Sequence, residues 1–119
     1  MLKPAKAKPA FYALCYQELQ AIARDMGYNL LLHGSMDRDM DLVAVAWVDK
    51  PMPHTEVLNA FCKALGVNPP KNKLGFNEYL FKKLPAGRSG YIINLNRGGK
   101  FNGYFDQQMY LDISFTPIP

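Results

Sequence analysis

Long apolar runs, cysteines and excess charge of either sign are all scarce in this sequence, and each shortage excludes a class of protein. No stretch approaches the roughly 18 consecutive apolar residues that a membrane helix requires, so no membrane partner is predicted. Only two of the 119 residues are cysteines, and both Cys15 and Cys62 fall on apolar helical patterns. They are expected to be buried thiols, neither disulfide-bonded nor metal-bound, as in proteins of a reducing compartment. The predicted location is the cytoplasm.

The net charge of +4 gives weak support for a nucleic acid partner. Three of the lysines, Lys3, Lys6 and Lys8, lie in a stretch rich in proline and alanine, and without them the chain is close to neutral. We expect residues 1–9 to be a flexible basic leader and residues 10–119 to be a single domain. No duplex nucleic acid is predicted as a partner, whereas a small anionic ligand needs only two or three well-placed cations.

Apolar periodicity predicts an α+β fold in the order α-β-β-α-β-β-β. Apolar residues recur at steps of three and four from residue 10 to 26 and again between Thr55 and Gly66, which indicates two helices. Strands are predicted over residues 28–33, 39–47, 77–82, 90–96 and 109–116. Most connections between consecutive strands are too short for parallel crossovers, so we expect two helices packed on one face of a mostly antiparallel five-stranded sheet.

Polar residues concentrate between the first two predicted strands, in the segment His-Gly-Ser-Met-Asp-Arg-Asp-Met-Asp-Leu. Asp39 and Asp41 are two residues apart on a strand, so both carboxylates point to the same face. Such a pair repels unless a cation lies between the carboxylates, and either Arg38 or a divalent metal meets that need. Gly34 permits close approach of the backbone, and Ser35 offers a hydroxyl group and an amide.

The same segment resembles the active-site signature of polymerase-β-type nucleotidyltransferases. In that family Gly-Ser opens a helix that holds a triphosphate, and a later Asp-x-Asp on a strand binds two metals. Gly34, Ser35, Asp39 and Asp41 stand at the matching positions, with Asp112 in the last predicted strand as a candidate third carboxylate. Only three residues separate Ser35 from Asp39, whereas the family places about a helical turn or more there. The resemblance implies metal-dependent nucleotidyl or phosphoryl transfer.

A closer resemblance, over most of the chain, is to small proteins encoded in bacteriophage genomes. They share the pattern His-Gly-Ser-x-x-Arg-Asp-x-Asp-Leu, which begins here at His33. A helix end with Ala-Arg-Asp-x-Gly-Tyr precedes it, an apolar strand that ends at Trp47 follows it, and the closing strand carries Tyr-Leu-Asp-Ile-Ser. This resemblance implies a phage origin, and with it the cytoplasm of a host cell, but no particular reaction.

Two glycine-rich loops carry the remaining candidate cations, Arg88 and Arg97. Each loop is explained either as a hairpin turn or as an anion cradle, in which amides and a guanidinium group hold a phosphate. Neither matches a P-loop, because neither leads into a helix with the order Gly-Lys-Ser/Thr. Trp47 and Tyr91 are candidates for stacking on a base.

Three hypotheses about function follow. The first is a phage-encoded, non-catalytic protein that binds a small phosphorylated or nucleotide-like ligand, such as a nucleotide immune signal of a bacterial defence system. This hypothesis includes no catalytic residue, metal or cofactor. Its ligand-binding residues are His33, Gly34, Ser35, Arg38, Asp39, Asp41, Trp47, Arg88, Tyr91 and Arg97. The alternatives are a metal-dependent transferase that uses Asp39 and Asp41, and an interaction module that inhibits a host protein. The aromatic content and an uncovered sheet face predict a homodimer or higher homo-oligomer in all three cases.

Overall fold

The computed structural model describes residues 8–34, 39–95 and 110–117, which form two α-helices and an open five-stranded sheet. The helices are α1 (Lys8–Asp25) and α2 (His54–Leu65). The strands are β1 (Tyr28–His33), β2 (Asp39–Ala46), β3 (Leu80–Lys83), β4 (Ser89–Asn94) and β5 (Tyr110–Phe115). A short 3-10 helix, Pro85–Gly87, joins β3 to β4. The α+β class is confirmed, and residues 1–7 of the predicted leader lie outside the described residues.

The sheet is mixed, because β2 and β5 lie side by side and run parallel. Its strand order is β1-β2-β5-β4-β3, and the other neighbouring strands are antiparallel. The prediction of a mostly antiparallel sheet is therefore wrong, and the 3-10 helix adds an element to the predicted order. That prediction considered only consecutive strands, whereas the chain from β2 to β5 contains α2 and the β3–β4 hairpin. This connection is long enough for a parallel crossover.

One hydrophobic core contains residues of both helices and alternate residues of the sheet. The apolar stripe of α2 is buried as predicted: Val57, Leu58, Phe61, Cys62 and Leu65. The two central strands contribute every second residue: Met40, Leu42, Ala44, Leu111, Ile113 and Phe115. The intervening residues point to the opposite side of the sheet, which we call the open face. One row of residues crosses the open face from β1 to β3: His33, Asp41, Asp112, Ile92 and Leu80.

The buried stripe of α1 agrees in part with the apolar pattern of residues 10–26. Cys15, Leu19 and Ala23 belong to that pattern and are buried, whereas Leu14 also belongs to it and is 72% exposed. Tyr12, which lies outside the pattern, is fully buried. Tyr16 donates its hydroxyl hydrogen to the backbone carbonyl of Leu30 at 2.8 Å and so joins α1 to β1. Tyr16 can lie against the sheet because its polar end has a hydrogen-bond partner there.

Two further features of the helices agree with the sequence. Gly66 ends α2 in the left-handed conformation, with φ of 66°. Cys15 and Cys62 are both buried thiols. Among the described residues, no helix combines the length and apolar character needed to cross a membrane.

Candidate metal centre

Three carboxylates meet on the open face where β2 pairs with β5. Asp41 lies directly opposite Asp112, and Asp39 precedes Asp41 by two residues on the same face. Each residue places a carboxylate oxygen within 4.8 Å of those of the other two. All three side chains are half-buried. We call Asp39, Asp41 and Asp112 the acidic cluster.

The local sequence explains why the three carboxylates share one face. Met40 and Leu42 are buried in the core, so the aspartates that alternate with them in β2 must face away from the helices. Leu111 and Ile113 are likewise buried in the core, so Asp112, which lies between them in β5, also faces away from the helices. A slip of one residue in the register would bury the carboxylates and expose the apolar side chains, so the core fixes the position of the cluster.

Two carboxyl groups of the acidic cluster, those of Asp41 and Asp112, have raised pKa values. Burial raises the pKa of Asp41 to about 6; a hydrogen bond that its protonated carboxyl donates to Asp39 and the negative charges of Asp39 and Asp112 act in the same direction. Burial also raises the pKa of Asp112, as does the charge of Asp39. His33 opposes both shifts, and Lys82 opposes the second. A divalent cation at the cluster would stabilise the ionised carboxylates in the same way as these cationic groups, but more strongly.

Gly34 brings the backbone against the carboxylate of Asp41. Its φ is +87°, in the left-handed region that favours glycine. A Cβ atom built on Gly34 would lie 2.9 Å from Oδ2 of Asp41. Glycine is therefore required twice, once for the backbone angle and once for the space next to the carboxylate.

Some of the predicted ligand-binding residues come together at this cluster. They are His33, Gly34, Asp39 and Asp41. Ser35, Arg38 and Arg97 lie outside the described residues. The prediction that Asp39 and Asp41 share one face of their strand is confirmed, and His33 lies beside Asp41 on that face. Their role in ligand binding stays a prediction.

Trp47 and Arg88 lie away from the acidic cluster. Trp47 directly follows β2 and is six residues beyond Asp41, roughly 20 Å at the usual rise of a strand. Its Nε1 donates to the carbonyl of Arg24 at 3.3 Å. The Nε of Arg88 donates to the carbonyl of Pro85 at 3.2 Å, next to the 3-10 helix. The loop that contains Arg88 is thus a hairpin turn between β3 and β4.

Tyr91 belongs to an aromatic cluster that joins α2 to the sheet. Its hydroxyl oxygen lies 3.1 Å from Nδ1 of His54. Its ring makes edge contacts with His54 and Phe115 at centroid distances of 5.7 Å in both cases. His54 stacks on Phe115 at 4.0 Å, and burial lowers the pKa of His54. The ring of Tyr91 is therefore engaged in packing between elements.

Of the residues beside Asp112 on β3 and β4, Tyr91 was singled out from the sequence as a ligand-binding residue, whereas Leu80, Lys82 and Ile92 were not. A cavity of about 320 Å³ lies there, and Asp112, Lys82, Leu80 and Ile92 are among the residues that line it. We call it the β3–β4 cavity. The alternation of each strand was visible in the sequence, but the pairing of β4 with β5 that brings these side chains to Asp112 was not.

No family model matches this chain, and neither a curated protein nor a solved structure was found that is significantly similar to it. Magnesium and manganese prefer oxygen ligands, and magnesium is commonly bound by one or two carboxylates together with water and phosphate oxygens. Carboxylates within 4.8 Å of one another can contact one such cation together.

Proposed function

We propose that the acidic cluster binds Mg²⁺ or Mn²⁺ and that the chain uses this cation in nucleotidyl or phosphoryl transfer from a small nucleotide-like ligand. The observation that carries the proposal is the convergence of Asp39, Asp41 and Asp112 within 4.8 Å on two neighbouring strands. When ionised, these three groups repel one another strongly in a half-buried site. A divalent cation offsets this repulsion and keeps coordination positions for phosphate oxygens.

The choice of a phosphorylated ligand has two supports. Gly34, Asp39 and Asp41 match the transferase signature in the sequence, and in the structure a Cβ added to Gly34 would lie 2.9 Å from Oδ2 of Asp41. Lys82 lies close enough to Asp112 to affect its protonation, which adds a cation near the proposed position of the phosphates. A lysine beside a metal is a common arrangement for holding phosphoryl groups.

A second candidate function is sequestration of the same class of ligand without chemistry. The short connection between Ser35 and Asp39 favours it, because three residues stand where the transferases place a helix that holds the triphosphate. The ligand would then be a nucleotide signal of a bacterial defence system, in keeping with the resemblance to phage proteins. The homo-oligomer stays a prediction.

Titration with Mn²⁺, followed by electron paramagnetic resonance, tests the cation site. We expect Asp41→Asn and Asp112→Asn each to weaken Mn²⁺ binding roughly tenfold or more, because each removes a charged ligand. Asp49→Asn is the matched control, since Asp49 is an exposed aspartate outside the acidic cluster. Equal Mn²⁺ affinity in the wild type and both cluster variants would exclude the acidic cluster as the site.

A panel of nucleoside triphosphates with Mg²⁺, analysed by mass spectrometry, separates transfer from sequestration. Transfer to water or to a hydroxyl group of a second nucleotide releases pyrophosphate or a nucleoside diphosphate, and Asp41→Asn abolishes these products while the circular dichroism spectrum stays unchanged. Sequestration gives a retained nucleotide that is recovered chemically intact from the protein.

A further inference from the structure

The β3–β4 cavity provides an apolar surface next to the acidic cluster. Leu80 and Ile92 are cross-strand neighbours on the open face and are 70% and 37% exposed. Leu84 packs across β4 at Gly90, where an added Cβ would lie 2.9 Å from Cδ1 of Leu84. The volume of about 320 Å³ lies at the lower end of the range for small-molecule sites, roughly 300–1,000 Å³.

The position of the cavity relative to the acidic cluster determines what kind of ligand fits both. Ile92 pairs with Asp112, and Leu80 pairs with Ile92, in the row that crosses the open face. Neighbouring strands lie about 4.8 Å apart, so Ile92 is about one strand spacing from the acidic cluster and Leu80 about two. Lys82 and Asp112 are the charged groups of the cavity lining. A single small molecule with an apolar end and an anionic end spans this distance.

We propose that the β3–β4 cavity is the nucleoside subsite of the ligand. The base lies against Leu80, Ile92 and Leu84, and the phosphates extend past Lys82 to the cation at the acidic cluster. This proposal rests on the proposed function, because the cation fixes the phosphate end. A nucleotide meets both requirements, since its base is flat and largely apolar on its faces and its phosphates lie one sugar away. Inorganic phosphates leave the exposed apolar surface of Leu80 and Ile92 in contact with water.

Isothermal titration calorimetry in the presence of Mn²⁺ tests the subsite with ATP, GTP, CTP and UTP against inorganic tripolyphosphate. We expect at least one nucleotide to bind roughly tenfold or more tightly than tripolyphosphate, which has the phosphates but no nucleoside. The double variant Leu80→Ala/Ile92→Ala should weaken binding of that nucleotide roughly tenfold and leave tripolyphosphate binding unchanged. Both substitutions are on the exposed side of the sheet, and a thermal melt verifies that the variant is folded.

Leu31→Ala is the matched control. Leu31 is 52% exposed and lies on the same face of the sheet in β1, on the other side of the acidic cluster from the cavity. It should change neither affinity. The subsite is excluded if tripolyphosphate binds as tightly as every nucleotide, or if Leu31→Ala costs as much nucleotide affinity as the double variant. Failure of the proposed function is seen separately: the wild type then binds no Mn²⁺, or binds it no more tightly than Asp41→Asn and Asp112→Asn do.

Discussion

At the scale of single residues, the acidic cluster combines a backbone requirement with an electrostatic one. Gly34 has a left-handed φ and lies against Oδ2 of Asp41, and Asp41 itself has a pKa raised to about 6. The first property depends on the absence of a side chain, and the second on burial and neighbouring carboxylates. Each can be tested by substitution with a control at a similar position elsewhere in the chain.

Gly34→Ala tests whether the contact with Asp41 matters beyond the backbone angle. Gly75 is the matched control, because its φ is also +87° and nothing lies within 4 Å of an added Cβ. Each substitution should lower the free energy of unfolding by about 1 kcal/mol in urea denaturation, since alanine is strained in the left-handed region. Only Gly34→Ala should also weaken Mn²⁺ binding, because it displaces a carboxylate of the cluster. Equal weakening by Gly75→Ala would assign the effect to general destabilisation.

Asp41 should make the cation-free protein less stable as the pH rises from about 4 to about 6. The pKa of Asp41 is about 6 in the folded protein against an ordinary value of 3.8, so the folded state binds the proton more tightly than the unfolded state. The resulting stabilisation is complete below the ordinary pKa and is lost as the pH passes through about 6. Solvent screens this partly exposed carboxyl, so the expected loss is about 1 kcal/mol.

Urea denaturation at pH 4 and pH 7 in EDTA measures this loss. Asp41→Asn should reduce the difference between the two pH values, and the exposed control Asp49→Asn should preserve it. An unchanged difference in Asp41→Asn would mean that other groups cause the pH dependence.

At the scale of helices and strands, the sequence predicted those elements whose apolar pattern ends at a glycine or at a polar segment. The stripe of α2 ends at Gly66, and two apolar runs flank the polar segment that begins at His33, so these elements and the Asp39–Asp41 pair followed from local pattern. The pairing of β2 with β5 did not follow from local pattern, because strand pairing over a long connection depends on the packing of the whole sheet. Asp112 was a candidate third carboxylate through the resemblance to transferases, but its position directly opposite Asp41 did not follow from local pattern.

His54 provides a test of how α2 is held on the sheet. Burial lowers the pKa of His54, so the folded state disfavours its protonated form. Its contribution to stability is therefore complete above the ordinary pKa of 6.5 and is lost as the pH falls below that value. Nuclear magnetic resonance should show His54 titrating at lower pH in the folded protein than in urea. A folded-state pKa equal to the unfolded one would contradict the burial of this ring.

The variant His54→Phe keeps a ring for stacking on Phe115 and removes the proton. In this variant the loss of stability at low pH should be smaller than in the wild type. The comparison is best made in an Asp41→Asn background, because Asp41 changes stability in the opposite direction over a neighbouring pH range. If His54→Phe/Asp41→Asn loses as much stability at low pH as Asp41→Asn alone, His54 is not the source of this loss.

At the scale of the whole molecule, one core contains both thiols, so their chemistry reports on global unfolding. Burial raises the pKa of Cys62, although the Tyr79 hydroxyl, which donates to its Sγ at 3.5 Å, acts in the opposite direction. We expect neither Cys15 nor Cys62 to react with an aromatic disulfide reagent over minutes in native buffer. Labelling should accelerate with urea in parallel with the loss of circular dichroism. Fast native labelling of either thiol would indicate local opening of the corresponding helix.

The central position of β5 has a consequence for how the protein is made. β5 comes last among the described strands, yet it is the only one of them that pairs with both β2 and β4. Until residues 110–115 have been synthesised, the strand that joins the described parts of the β1–β2 and β3–β4 hairpins is missing, and the acidic cluster lacks Asp112. Asp41 and Asp112 are also about 70 residues apart in the chain, a separation of the kind that slows folding. A chain that has not yet extended through residues 110–115, or that has lost them, therefore cannot assemble the acidic cluster, because Asp112 is missing from it.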